Sequence, residues 1–136
     1  MRKQLIHQLD VGHMGMPGSK GVAAQCYRAG NLVFMTGQTA FTLDGTLVGI
    51  GDPAAQARQA CENIKTLMEM AGGTIHDVVK IVTYITDRSY REAAYPVIHS
   101  YFGDLRPCGT GIVVAGLARE ELLIEIDAYG VIDDPE

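Results

Sequence analysis

An α+β fold, with two helices laid on one face of a mixed sheet, is what the hydrophobic patterning of this chain predicts. Three observations carry that expectation. Two segments repeat apolar residues at helical spacing, some six short runs are β-branched or alternating, and the order reads β-β-β-α-β-α-β-β. At 136 residues the chain is read as one domain, 1–136, long enough to bury a continuous core.

Each element has a local cause. Arg2 to Leu9 alternates weakly and reads as an edge strand, and Val11 to Gly21 is rich in Gly and Pro and reads as a loop. Ala24–Ala29 and Leu32–Thr36 read as a hairpin, because the Gly30-Asn31 link supplies the positive φ such a turn needs. Asp44-Gly45 marks a second turn. The clearest helix starts at Asp52-Pro53: Asp is a good N-cap, and Pro fits the first helical position, where its missing N–H costs nothing. Ala57, Cys61, Ile64, Met68 and Ala71 then form one apolar face, and Gly72-Gly73 ends the helix.

Val78–Thr86 is β-branched and long enough for a central strand. Ser89 and Glu92 have the spacing of a capping box for a second helix carrying Tyr90, Ala94, Val97, Ile98 and Tyr101. Pro96 either kinks that helix or starts it, since an interior proline costs about 3 kcal/mol. Gly111–Leu117 and Leu122–Ile132 read as the last two strands. With both helices on one face, the other face of the sheet needs a cover. In so short a chain the expected cover is another copy of itself.

Charge and cysteine content narrow the partners. The net charge is −5 and the basic residues are scattered, so no nucleic-acid partner is expected. No apolar run approaches the ~18–20 residues of a membrane span. The opening MRKQLIHQLD lacks the apolar core of a signal peptide, so a cytoplasmic location and no membrane partner are expected. Cys26, Cys61 and Cys108 are odd in number without CxxC spacing, and His7, His13, His76 and His99 are dispersed. Both patterns argue against a disulfide framework and against a metal site.

Four separated segments in order, GNLVFMTGQTA (Gly30–Ala40), DGTLVGIGDPAAQARQACENI (Asp44–Ile64), GGTIHDVVKIVTYITD (Gly72–Asp87) and LLIEIDAYGVI (Leu122–Ile132), resemble the YjgF/RidA family of reactive intermediate deaminases. The resemblance covers nearly the whole chain. It implies a chorismate-mutase-like α+β fold and a homotrimer whose small-molecule clefts lie between neighbouring subunits. It also implies hydrolysis of imines and enamines, such as 2-aminoacrylate, to a 2-keto acid and ammonia with no metal or organic cofactor. Deaminating members carry Pro-x-Arg-Ser before the penultimate strand, and that Arg pairs with the substrate carboxylate. Here RPCGTG places Gly109 at the Arg position, Thr110 after it and Gly111 where the family has Cys. Ala23 replaces a family Tyr, and Tyr95 replaces an Asn. Thr36-Gly37-Gln38 and Glu125 remain, and the resemblance gives Glu125 the role of holding the attacking water. The chain thus resembles the Arg-lacking subgroups.

Several of these positions have two readings from the residues themselves. Glu125 alternates with Ile124 and Ile126 and so faces away from them, either as a partly buried general base or as an interface carboxylate; Asp127 shares its face. Thr110 either binds a ligand oxygen or caps its loop, and Gly37 and Gly111 either offer N–H groups to an anion or serve as turn glycines. Arg106 either reaches the cleft or lies in solvent, and Tyr95 either walls the cleft or belongs to the helix core. With Arg106 in solvent, a cleft with Glu125 but no Arg at 109 is expected to be negative and to favour neutral or cationic ligands over small carboxylates. Two functions remain. One is an imine or enamine hydrolase acting on a small metabolite other than 2-aminoacrylate. The other is a non-catalytic trimer that senses or sequesters metabolites. Endoribonuclease, a third activity attached to the family, sits poorly with the acidic charge.

Overall fold

The computed structural model describes residues 2–133; residues 1 and 134–136, the ends of the span read as one domain, lie outside it. The elements follow the order β1 (Lys3–Asp10), β2 (Val22–Ala29), β3 (Leu32–Met35), α1 (Pro53–Met70), β4 (Val78–Ile85), α2 (Arg91–Phe102), β5 (Cys108–Val113) and β6 (Ile124–Val131). They build one six-stranded sheet of order β1-β2-β3-β6-β4-β5. The β4–β5 pair is parallel and joined by α2, while every other pair is antiparallel, so the sheet is mixed as predicted.

The strongest local signals produce the elements expected of them. Asp52 caps α1 by accepting from the Ala55 N–H, with Pro53 at the helix start. Gly30 adopts φ +59°, which lets Ala29 pair directly with Leu32 across the hairpin. The second helix departs from its predicted start. Ser89 does not cap it: the Asp87 carboxylate accepts from both the Ser89 N–H (2.8 Å) and its hydroxyl (2.7 Å), and a 3-10 turn, Arg88–Tyr90, precedes α2. An ionised carboxylate two residues upstream is a stronger acceptor than a serine hydroxyl. Pro96 does not start the helix either, because α2 runs from Arg91 through it.

Every strand also differs from the sequence reading at one end or both, and β5 differs most. β5 begins at Cys108 and ends at Val113, three to four residues ahead of the predicted Gly111–Leu117. Its extent is set by its partner: Lys80 pairs with Cys108 and Ile85 with Val113, and β4 stops at Ile85. Thr36 lies one residue beyond β3.

The main core lies between the helices and one face of the sheet. α1 buries Ala57, Ala60, Cys61, Ile64, Leu67 and Met68 against Val33, Ile85, Ile124 and Ile126. Burial of each large aliphatic side chain contributes about 1.5–3 kcal/mol. Two polar residues break the apolar face of α1 and are buried with it. Gln56 donates to the carbonyls of Gly49 (3.1 Å) and Glu121 (2.8 Å) and accepts from the Leu123 N–H, and Asn63 donates to the Phe41 carbonyl. They pin the long loops to the helix. A smaller core of Val11, Met14, Ala40, Phe41 and Leu122 sits under the Gly- and Pro-rich loop.

The opposite face of the sheet carries Leu5, Tyr27, Phe34 and Tyr129 exposed. Phe34 and Tyr129 pack edge to face there, with centroids 6.2 Å apart. Among the described residues no helix is long and apolar enough to cross a membrane.

Candidate functional site

Glu125 lies on β6 opposite Tyr84 of β4, and an isolated backbone bridge brings Gly37 to it. After β3 the chain swings over to β6, where Gln38 N–H donates to the Ile126 carbonyl and Ile126 N–H donates back, each at 2.8 Å. The bridge seats Gly37 against the two carboxylates that flank Ile126. A β-carbon at residue 37 would fall 2.8 Å from the Glu125 carboxyl carbon and 2.9 Å from Asp127 Oδ1. Asp127 is tied on its other oxygen by the Tyr84 hydroxyl at 3.0 Å. Glu125, half-buried, holds its proton more tightly than an ordinary glutamate, first because burial disfavours the charge and then because Asp127 repels it.

Glu125 opens into a cavity of about 230 Å³ beneath the loop over residues 11–21. Thr36, Gly37, Gln25, Phe41 and Leu122 share its wall, and among the described residues Glu125 is the only charged group lining it. The Thr36 hydroxyl donates to the Ala24 carbonyl at 2.8 Å, so it acts on its own hairpin. The roof is held by Arg119, which donates to the Met14 carbonyl at 2.8 Å and pairs with Glu121.

Arg106, Gly109, Thr110 and Tyr95 line a different cavity, of about 280 Å³, between α2 and the edge strand β5. Within one chain the seven predicted residues therefore fall into two groups. A β-carbon at Gly109 would approach Ile81 at 3.9 Å, so a side chain there would enter this second cavity, on the helix side of the sheet. The Thr110 hydroxyl accepts from Lys80 Nζ at 3.0 Å across the strand pair. Tyr95 is half-exposed; its ring lies under the Arg91 guanidinium at 4.2 Å, and its hydroxyl accepts from Arg91 at 3.0 Å. Within one chain Arg91 and Arg106 lie in the wall beside Gly109 and, among the described residues, no carboxylate does.

Comparison with known proteins agrees with this architecture. A family model described as Endoribonuclease L-PSP matches residues 18–132. A RutC family protein of Pyrococcus horikoshii is 34% identical over 112 residues, covering 82% of this chain and 88% of the relative. The structure of RidA from the Antarctic bacterium Psychrobacter superposes with a TM-score of 0.74 at 31% identity, covering 88% of this chain and 95% of that one. The chain belongs to the YjgF/RidA family. Escherichia coli TdcF, solved with bound serine, matches with a TM-score of 0.75 at 27% identity, covering 88% of this chain and 95% of its own.

Within the YjgF/RidA fold, two features of the site have no motif in the sequence. Arg91 is a solvent-facing helix residue by pattern, and only the approach of α2 to β5 brings it to the cavity at Gly109. Arg119 anchors the loop over Glu125 across 105 positions of sequence.

Proposed function

We propose that the chain is an imine or enamine hydrolase, working as a homotrimer, that accepts a substrate larger than 2-aminoacrylate and activates water with Glu125. The observation that carries this reading is the setting of that carboxylate. It is half-buried, the only charged group lining its cavity among the described residues, and more basic than free glutamate. Gly109 in place of a family arginine supports a substrate other than 2-aminoacrylate. The exposed Leu5, Tyr27, Phe34 and Tyr129 on the uncovered sheet face support assembly with further copies. That TdcF holds serine supports a ligand of amino-acid size.

The chemistry balances without a cofactor. Water adds its oxygen to the carbon of a protonated imine while Glu125 takes one water proton, giving a neutral carbinolamine. Glu125 then returns that proton to the nitrogen as the C–N bond breaks. Ammonia leaves, and the remaining O–H releases its proton to solvent to give the carbonyl. An enamine enters the sequence by first taking a proton at its β-carbon.

The test is to release imines in situ with an amino-acid oxidase acting on bulky amino acids. Keto-acid formation should accelerate with the protein present, and light scattering should give the mass of three chains. A ligand-binding protein that accelerates no imine is the non-catalytic alternative.

A further inference from the structure

We propose that Tyr84 is a positioning residue for Glu125: by holding Asp127 through its hydroxyl, it directs the proton that this pair of carboxylates takes up to Glu125 and away from Asp127. Only the catalytic consequence rests on the hydrolase reading, in which Glu125 is the base. Where the proton sits can be read without a substrate.

The register of the sheet sets this arrangement. Tyr84 of β4 lies opposite Glu125 of β6, and Val82 lies opposite Asp127. Alternation puts Tyr84, Glu125 and Asp127 on the face away from the helices, because Ile85, Ile124 and Ile126 fill the core. The Tyr84 hydroxyl passes its own cross-strand partner and donates to Asp127 Oδ2 at 3.0 Å, a diagonal contact that so long a side chain can reach. The other Asp127 oxygen and the Glu125 carboxyl carbon both lie within 2.9 Å of the point where a β-carbon on Gly37 would stand. Two carboxylates thus converge on one small space. Tyr84 lines neither of the two cavities, so it acts through Asp127 and not by touching a substrate.

Carboxylates this close take up one proton between them, and it settles on either unless their surroundings differ. Here they differ twice. A hydroxyl donated to a carboxylate favours the charged form, so Tyr84 favours the charge on Asp127. Burial disfavours the charge on Glu125. Tyr84 stays a donor throughout, since its bond to Asp127 and the repulsion of that charge hold the phenol above its ordinary value. The other ionisable groups that β4, β5 and β6 bring to this face are Lys80, Cys108 and Tyr129. The Lys80 ammonium donates to the Thr110 hydroxyl. From the side of the loop over residues 11–21 no further charge arrives, because among the described residues Glu125 alone of the charged groups lines that cavity. A neutral phenol suits the role better than a cation, which would favour the charge on both carboxylates and make Glu125 a weaker base.

The experiment is a pH titration of the full-length, ¹³C-labelled protein, following the side-chain carboxyl signals of Glu125 and Asp127 in wild type, Tyr84→Phe, Asp127→Asn and the double variant. In the wild type the first proton taken up as pH falls should appear almost wholly on Glu125. In Tyr84→Phe it should be shared, with the Glu125 signal losing about a third or more of its change in that step to Asp127. On an imine that the wild type hydrolyses, Tyr84→Phe should lower kcat about tenfold with KM unchanged, a part of the ~10²–10⁴ that a placed base contributes. Added to Asp127→Asn, it should alter neither the Glu125 titration nor kcat further, whereas a merely structural tyrosine would cost as much in that background. The proposal is overturned if Glu125 titrates alike in wild type and Tyr84→Phe, if kcat holds at the wild-type value, or if Tyr84→Phe acts as strongly with Asp127→Asn as without it. A proton shared in Tyr84→Phe, with no imine turned over by the wild type, would leave the placement by Tyr84 standing and remove the hydrolase reading. Turnover that depends on Glu125, with the proton unmoved by Tyr84→Phe, would do the reverse.

Discussion

Gly37 lies so close beneath Glu125 that a single added methyl group at residue 37 would meet the carboxyl carbon at 2.8 Å. The φ of Gly37 is not positive, so its backbone suits alanine and only the space is at stake. Gly37→Ala should displace the carboxylate while leaving the fold intact. Misplacing a catalytic group by about 1 Å costs roughly 100-fold, so imine turnover should fall 10- to 100-fold. Steady-state kinetics beside a thermal melt would check this, with the melting temperature moving by no more than about 5 °C.

Glu125 also makes stability depend on pH. Its folded pKa is raised, so the folded chain holds that proton more tightly than the unfolded chain does. The resulting stabilisation is fully present below the ordinary glutamate value and is lost as pH rises through the raised one. Glu125→Gln removes the buried charge and should melt higher than the wild type at neutral pH, with the gap closing in acid. Melting curves from pH 4 to 8 at fixed protein concentration would show it. Asp127→Asn, which removes the second cause of the shift, should move the acid limb of the activity profile to lower pH.

Gln56 is fully buried and bonds to three backbone groups from two loops. Gln56→Ala leaves a cavity and strips partners from buried polar groups, which together cost about 2–4 kcal/mol. A lowered urea midpoint at constant protein concentration is the expected result.

The three thiols should separate cleanly. Cys26 and Cys61 are buried, and desolvation pushes their thiols up to about 11 and about 12, whereas Cys108 is exposed. A thiol reagent at pH 8 should modify one cysteine per native chain rapidly and all three after denaturation.

The range of each interaction decides how much of the fold and the site can be read in the sequence. The Gly30-Asn31 hairpin and the Asp52-Pro53 helix start are local, and both form as predicted. The face of Glu125 is local too, because alternation along a strand determines it. The ends of β5 are not local, since they depend on where β4 stops. At Ser89 two neighbouring acceptors compete, and a rule for one spacing does not weigh Asp87 against the serine hydroxyl. The site itself is legible only in pieces. Gly37 meets Glu125 through the Gln38–Ile126 bridge, and Arg91 meets Gly111 through the packing of α2 beside β5. Both encounters join distant segments that no spacing links.

The role of Glu125 is tested most directly by comparing wild type with Glu125→Gln on imines generated in situ, under conditions where both proteins are folded and in the same oligomeric state. The amide keeps the size of the carboxylate but cannot take a proton from water. Wild type should accelerate hydrolysis of at least one bulky imine, and Glu125→Gln should lose that acceleration by 100-fold or more. Equal turnover by the two proteins would contradict the assignment of Glu125 as the base.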